Sequence, residues 1–121
     1  MSDNKPTCTT YSNGTKEWFL NGKRHREDGP AVEYSDGDKE WFLNGKLHRE
    51  DGPAVECADG DKEWWLNNEL HREDGPAREY SDGDKEWFLN DEKTTALEVF
   101  KRANDEQRKH MLCFYPNEFS A

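Results

Sequence analysis

Three short clusters of charged residues are the first candidates for chemistry in this sequence. Each cluster reads His-Arg-Glu-Asp and continues as Gly-Pro-Ala, and the three blocks cover residues 25–31, 48–54 and 71–77. Histidine next to carboxylates is a combination that metal sites and acid–base pairs use. An active site is usually single and asymmetric, whereas this cluster occurs three times. We therefore predict a structural role, in which the histidine packs beside a tryptophan, the arginine pairs with a glutamate and the aspartate caps the turn.

A second set of carboxylates flanks glycine in three Asp-Gly-Asp sequences. Such carboxylates can bind calcium, but their spacing matches neither an EF-hand loop nor a nonapeptide calcium repeat. Asp-Gly is favoured in hairpin loops, because these need residues at positive φ. Turn chemistry therefore accounts for the residues concerned, which are Asp36, Asp38, Asp59, Asp61, Asp82 and Asp84. Since no nucleophile elbow, phosphate-binding loop or metal signature occurs, we expect neither an enzyme nor a bound cofactor.

Composition restricts the remaining functions. The chain has 121 residues and a net charge of −10, with 36 % charged and 31 % hydrophobic residues, which indicates one domain with a thin core. The acidity argues against direct binding to nucleic acid or to an anionic membrane, and it leaves open a partner with a basic cleft. Three scattered cysteines indicate neither a disulfide framework nor a zinc site. No apolar run has the length of a signal peptide or a membrane span, so we expect a cytoplasmic protein.

A 23-residue repeat contains almost all of these residues. Its clearest markers are four tryptophans at one spacing, Trp18, Trp41, Trp64 and Trp87. Three full copies cover residues 11–33, 34–56 and 57–79, and a truncated fourth copy ends near Lys93. A repeat of this length indicates an array of supersecondary units that stack on one another.

Turn residues predict how the strands of each copy pair. A two-residue loop at Asn44-Gly45 places Phe42 opposite Leu47, Trp41 opposite His48 and Glu40 opposite Arg49. A two-residue loop at Asp36-Gly37 places Val32 opposite Trp41. Each copy is then two strands of an antiparallel meander, with the tryptophans along one face and Phe42 on the other. The Gly-Pro step in each block is expected to bend the chain.

A helical pattern follows the last copy. Thr95 and Glu98 fit a capping box, and apolar residues then recur every three or four positions until Pro116. Asn104-Asp105 could divide the helix in two, and the helix either lies across the tryptophan face or caps the open edge of the sheet. The predicted fold class is an all-β, single-layer twisted sheet of antiparallel hairpin repeats with a C-terminal α-helix. Its predicted divisions are an unpaired lead-in at 1–10, the repeats at 11–93, a helical cap at 94–115 and a tail at 116–121.

The residues W-x-x-N-G-K-x-H, then Gly, then Y-x-D-G, at a 23-residue period, resemble the MORN repeat. In that family a W-x-N-G-K-x-H-G core recurs at the same length. This chain differs by two residues between Trp and Asn and by H-R-E-D-G-P-A after the histidine, so it is similar to a MORN-like variant. The resemblance implies an elongated sheet of hairpins that serves as a scaffold, a dimeriser or an interaction module. Arrays of this type also look like proteins of large phages and viruses, which implies a host cytoplasm.

These observations together predict a non-enzymatic protein-interaction module. A sheet with one apolar face must be covered, so the leading hypothesis is an aromatic surface that binds a protein partner or a second copy of the chain. Its contact candidates are Trp41, Trp64, Phe42 and Trp65 on the sheet and Phe100, Met111 and Phe114 on the helix. The alternative is a phage-type inhibitor whose six turn aspartates mimic nucleic acid and block a host nucleic-acid-binding or defence protein. A small hydrolase would require His48 or His71 in a real pocket.

Overall fold

The repeats form an open antiparallel sheet that two short helices follow, as the sequence predicts. The computed structural model of the chain describes residues 5–119. In chain order the strands are β1 (Thr7–Thr10), β2 (Lys16–Leu20), β3 (Lys23–Arg24), β4 (Val32–Glu33), β5 (Lys39–Glu40), β6 (Phe42–Leu43), β7 (Lys46–Leu47), β8 (Val55–Glu56), β9 (Lys62–Glu63), β10 (Trp65–Leu66), β11 (Glu69–Leu70), β12 (Arg78–Glu79), β13 (Lys85–Leu89) and β14 (Glu92–Thr94). The helices are α1 (Ala96–Arg102) and α2 (Asp105–Phe114), and a 3-10 helix at Pro116–Glu118 follows.

The main sheet has the strand order β1-β2-β4-β5-β8-β9-β12-β13-β14, with β3 beside β2. Most strands on this path have two residues, so the sheet is a narrow ladder to which each full copy adds two strands. Two small hairpins, β6–β7 and β10–β11, extend from the ladder in the second and third copies. The strand around the tryptophan is continuous in β2 and β13, but in the middle copies it is interrupted at Trp41 and at Trp64.

The hairpins at Asn-Gly have the predicted register. Phe42 pairs with Leu47, and the His48 N–H donates to the Trp41 carbonyl at 3.0 Å. Asn44 has φ 51°, in the left-handed region that a two-residue loop requires. The third copy has asparagine, at position 68, where the second has glycine. This asparagine adopts φ 66° and keeps the hairpin, because asparagine tolerates the left-handed region better than most residues.

The predicted register at the Asp-Gly turns is wrong by one residue. The Tyr34 N–H donates to the Asp38 carbonyl at 2.9 Å, so the loop has three residues and ends at Gly37 with φ 102°. A residue in the left-handed region after a type I turn is the usual way to close a three-residue loop. Val32 therefore pairs with Glu40 and not with Trp41. On its other side Glu40 pairs with Val55, so the pair of Glu40 with Arg49 predicted from the Asn-Gly loop is wrong as well.

This one-residue shift sets the chemistry of the two faces of the ladder. The tryptophan face carries a row in which lysine and glutamate alternate from strand to strand: Lys16, Glu33, Lys39, Glu56, Lys62, Glu79 and Lys85. The opposite face, here called the phenylalanine face, carries Glu17, Val32, Glu40, Val55, Glu63, Arg78 and Glu86. Opposite charges at directly facing positions favour the pairing of antiparallel strands. The lysine–glutamate row therefore supports the ladder without an apolar layer.

Residues 7–10, just before the repeats, are also part of the sheet, while residues 1–4 of the predicted lead-in lie outside the described residues. The lead-in was expected to be unpaired, but Thr7–Thr10 pair along β2, with Cys8 opposite Trp18. Three of these four residues are threonines, whose β-branched side chains suit an extended strand. The expectation is wrong because it followed the polarity of the segment and not its β propensity.

The helical segment is divided at Asn104, one of the two forms that the sequence allows. The Thr95 hydroxyl accepts the Glu98 N–H at 3.2 Å and caps α1. Asn104 and Gln107 form a full capping box on α2, in which each side chain accepts the backbone N–H of the other residue. α2 ends at Phe114, before Pro116. Neither helix among the described residues is long and apolar enough to cross a membrane.

The helices close the C-terminal end of the array over the fourth tryptophan. Trp87 is 5 % exposed and packs with Val99 of α1 and Met111 of α2, both of which are almost completely buried. Tyr115 and Phe119 meet the same indole ring edge-on, at centroid distances of 6.0 and 6.1 Å. The helices thus cap the end of the array and cover one tryptophan rather than the whole row.

Candidate functional site

An arginine lies on the tryptophan of each full copy. The Arg49 guanidinium stacks 4.0 Å from the centre of the Trp41 ring. Its Nε donates to Asp51 Oδ1 and its Nη1 donates to the Pro53 carbonyl, each at 3.0 Å. Glu56 of the lysine–glutamate row lies 3.7 Å from the same Nη1, so the arginine does pair with a glutamate. The aspartate was predicted to cap the turn, and it binds the arginine instead.

The same arrangement, here called the arginine clasp, recurs in the first and third copies. Arg26 lies 3.9 Å from the centre of the Trp18 ring, and Arg72 lies 3.9 Å from that of Trp64. Both also donate to an aspartate and to a proline carbonyl, at distances of 2.9 to 3.1 Å. The sequence contains a signal for this contact, since each of these arginines follows its tryptophan by eight residues.

The clasp explains the glycine in each His-Arg-Glu-Asp-Gly-Pro-Ala block. A Cβ atom added to Gly52 would lie 2.9 Å from the Arg49 guanidinium carbon, and one on Gly75 would lie 2.6 Å from that of Arg72. Any side chain at these positions would displace the guanidinium from the tryptophan. The glycine of the Gly-Pro step therefore leaves the space that the guanidinium group occupies, in addition to bending the chain.

The histidines of the blocks join one copy to the next. His25 Nδ1 accepts the backbone N–H of Asn44 at 2.9 Å, in the hairpin of the following copy. The two later histidines do the same, for Asn67 at 3.1 Å and for Asn90 at 2.8 Å. An imidazole that accepts at Nδ1 is neutral and carries its proton on Nε2. All three histidines are thus in use as structural acceptors.

The turn aspartates also have structural partners. Asp36 Oδ1 accepts the N–H of Asp38 within its own turn, at 3.0 Å. Asp38 Oδ1 accepts the N–H of Ala58 in the next turn, at 2.7 Å. The following copy repeats both bonds, and the last turn repeats the first of them. The residues in these repeated bonds are Asp59, Asp61, Ser81, Asp82 and Asp84. These bonds hold the aspartates in place while their charge stays at the edge of the sheet.

Tyrosine and glutamate pair on the phenylalanine face, and the third copy replaces this pair. The Tyr34 hydroxyl donates to Glu40 at 2.8 Å, and burial followed by this hydrogen bond raises the pKa of Tyr34 to about 12. The third copy has Cys57 in place of the tyrosine. There the Trp65 indole N–H donates to Glu63 at 3.0 Å, so the tryptophan supplies the donor that cysteine lacks.

Cys57 lies beside the acidic turns. Burial, followed by the negative charges of Asp38, Asp59, Asp61 and Glu63, raises the pKa of its thiol to about 11. Both causes disfavour the thiolate, one by desolvation and the other by repulsion. The thiol is thus a local probe of the electrostatic potential at the acidic turn edge.

The predicted aromatic contact residues do not form one surface. Trp41 and Trp64 are half-buried under arginine clasps, while Phe42 and Trp65 lie on the phenylalanine face. The three helix candidates also differ from one another: Met111 is fully buried, Phe100 packs against Phe119 at 5.0 Å, and Phe114 is 65 % exposed. Of the seven predicted residues, Phe114 offers the most apolar surface to a partner.

The net charge is confined to the later copies. The second, third and fourth copies carry −3, −4 and −3, whereas the first copy and the residues before and after the array are each neutral. Most of the exposed carboxylates in the turns and blocks lie in two rows. One row is the turn edge, and the other consists of the Glu-Asp pairs within the blocks, at residues 27–28, 50–51 and 73–74.

Grooves border the blocks on the tryptophan face. The middle groove has a volume of about 540 Å³ and lies between residues 26–29 and 48–51, with Trp41 and Leu43 also in its lining. The first groove, of about 500 Å³, and the third groove, of about 450 Å³, each contain the tryptophan of their own copy. The first is also lined by Lys5 and Pro6, and the third by Gln107 and His110 of α2. Sequence reasoning did not anticipate these grooves, because it placed the arginines elsewhere.

Comparison with known proteins assigns neither a family nor a function to the chain. Neither the protein-family models nor the curated proteins that were compared with the chain match it. The resemblance to the MORN repeat therefore stays a prediction. Within residues 5–119, no group of three or more histidine, cysteine, aspartate or glutamate side chains is arranged to hold a metal ion.

Replacing Arg49 with lysine tests the clasp. Lysine cannot donate to Asp51 and to the Pro53 carbonyl in the fork geometry of a guanidinium, and it stacks less well on Trp41. We expect Arg49→Lys to lower the free energy of unfolding by about 2 kcal/mol, measured by urea denaturation. Arg102→Lys is the control, because the Arg102 side chain is 70 % exposed and lies 3.9 Å from its glutamate partner. Equal effects of the two substitutions would contradict the clasp.

Thiol reactivity tests the electrostatics of the turn edge. With a pKa of about 11, the Cys57 thiol stays protonated below that pH, and at about pH 8 only about one molecule in a thousand carries the thiolate. We expect an aromatic disulfide reagent to modify the exposed Cys8 and Cys113 first, and the Cys57 rate to rise about tenfold per pH unit. Asp38→Asn should accelerate the reaction of Cys57 in a chain that carries Cys8→Ser and Cys113→Ser. A Cys57 rate equal to the other two at about pH 8 would refute the expected environment.

Proposed function

We propose that the protein is a non-enzymatic interaction module that binds a protein partner through its acidic surfaces. The observation that carries the proposal is the repetition of exposed carboxylates at one spacing along two rows of the sheet. Asp36, Asp59 and Asp82 recur at the turn edge, and the Glu-Asp pairs recur in the blocks. A partner with a basic surface would meet negative charge at every copy.

The covering of the tryptophans supports this choice of surface. Of the four tryptophans at the 23-residue spacing, the first three each have an arginine on the ring, and the last, Trp87, is buried under the helices. An apolar partner that covered the rings would have to displace guanidinium groups that also bind aspartate and carbonyl oxygens. The acidic rows need no such displacement, since their exposed carboxylates already lie in solvent.

The use of the histidines supports a non-enzymatic role. His25, His48 and His71 each accept a backbone N–H from the next copy, a bond that a histidine transferring a proton at Nδ1 would have to break. The repeated clusters that first suggested chemistry are thus engaged in joining the copies. The exposed carboxylates of the turns and blocks are free to bind a basic partner.

A second candidate, a mimic of nucleic acid, rests on the spacing of the charge. Each copy adds two strands, or about 9.6 Å, to the length of the sheet. The charge is −3 or −4 per copy in the acidic part of the array. A single strand of DNA carries one charge per about 3.4 Å, which is about three charges over the same length. The linear charge density of the array is therefore close to that of one DNA strand.

Titration with a lysine homopolymer tests the interaction proposal. We expect binding that weakens by at least about tenfold between about 50 mM and about 200 mM salt, because the contacts are between exposed charges. The measurement is calorimetry, with a glutamate homopolymer as the control. Absence of binding at low salt would overturn the proposal. So would a salt-insensitive dimer in light scattering, because that dimer would point to apolar contacts such as Phe114.

Competition with DNA tests the second candidate. A mimic should displace labelled single-stranded DNA from a basic single-strand-binding protein, and Asp36→Asn, Asp59→Asn and Asp82→Asn together should weaken the displacement by about tenfold. Asparagine keeps an acceptor oxygen for the turn, so these substitutions remove charge with little change of the loop. Binding of the lysine polymer without displacement of DNA would leave the interaction module and exclude the mimic.

A further inference from the structure

The middle groove combines two apolar lining residues with two glutamates that have no partner among the described residues. Trp41 and Leu43 lie in its lining together with the exposed Glu27 and Glu50. The aspartates that follow these glutamates bind the clasp arginines at 3.0 Å. Within residues 5–119, by contrast, neither glutamate forms a hydrogen bond or an ion pair. The free negative charge of the groove is thus on Glu27 and Glu50.

Residues from outside the repeats line the grooves on either side of the middle one. In the third copy Glu73 is the equivalent of Glu50. Its Oε2 lies 3.0 Å from His71 Nε2, and its Oε1 accepts the amide N–H of Gln107 from α2 at 3.3 Å. In the first groove Lys5 lies in the lining together with Glu27. A long side chain with an N–H donor therefore lies in the lining of each of the two outer grooves. The middle groove is lined by repeat residues alone among those described.

We propose that the middle groove binds a lysine or arginine side chain from an extended segment of a basic protein partner. The aliphatic stem would pack against Leu43 and the part of Trp41 that lines the groove beside Arg49, while the cationic end reaches Glu27 and Glu50. This inference rests on the proposed function and names the chemistry of its partner. It places the specific contacts in the grooves rather than at the turn edge.

The spacing of the grooves predicts the pattern of the partner. Neighbouring grooves lie one copy apart, which is about 9.6 Å for two strands of a sheet. In a polyproline II segment three residues make one turn and span about 9.3 Å, so every third side chain points to the same side. A segment with a basic residue at every third position therefore brings its basic side chains to successive grooves, with the middle one most accessible.

Two peptides of equal charge test the pattern. One carries three lysines at every third position of a glycine–serine background, and the other carries them at every second position. We expect the first peptide to bind the native chain about tenfold more tightly, measured by calorimetry at low salt. Equal affinities would overturn the inference and leave the proposed function intact, since only diffuse attraction would then be acting. If neither peptide binds, the proposed function falls as well.

Two matched pairs of substitutions locate the site. Glu27→Gln with Glu50→Gln removes two charges from the middle groove, and Asp59→Asn with Asp82→Asn removes two from the turn edge. We expect the first pair to abolish the preference for third-position lysines, and the second pair to weaken both peptides equally by less than about threefold. A preference that survives the groove substitutions, or that is lost with the turn substitutions, would overturn the assignment. Equal melting temperatures of the two variants confirm that both are folded.

Discussion

The arginine clasp is the interaction on which the rest of the array depends. With 31 % hydrophobic residues the chain has little apolar surface to bury, and a single layer of two-residue strands cannot enclose a core. A guanidinium on a tryptophan covers the ring while its N–H groups bind aspartate and carbonyl oxygens, so the charge is neither unpaired nor fully desolvated. In these copies the arginine replaces the second layer that other sheets obtain from a helix or another sheet.

Hydrogen bonds between copies turn these units into one sheet. The histidine of each full copy accepts a backbone N–H from the following copy, and Asp38 does the same for Ala58. Because every copy depends on the next, the last one needs a different ending. Thr95 stands where an arginine would follow Trp87 by eight residues, and the helices cover that ring instead. Capping units of this kind are common at the ends of repeat arrays.

The carboxylates that take no part in the clasps or in the bonds between copies are the basis of the functional proposal. The histidines and arginines of the blocks are committed to bonds within or between copies, and the tryptophan rings are covered. The acidic charge of residues 34–93 is not neutralised by these bonds. Glu50 illustrates this exposed charge, because its equivalent Glu73 contacts His71 and Gln107 of α2, while Glu50 has no such partner within the described residues. A basic partner would supply the missing donor.

Local chemistry in the sequence was enough to predict the 23-residue period, the hairpins at Asn-Gly and the helix start at Thr95, because turns and caps depend on neighbouring residues. The sequence leaves the division of the helix at Asn104 open. The Asp-Gly loops were beyond this reasoning, since the same dipeptide serves loops of two or three residues and only the paired strands decide between them. The stacking of Arg49 on Trp41 and the packing of α2 against Trp87 also depend on the assembled sheet. Those contacts join residues that are not neighbours along the chain, and they determine which side chains stay free to bind.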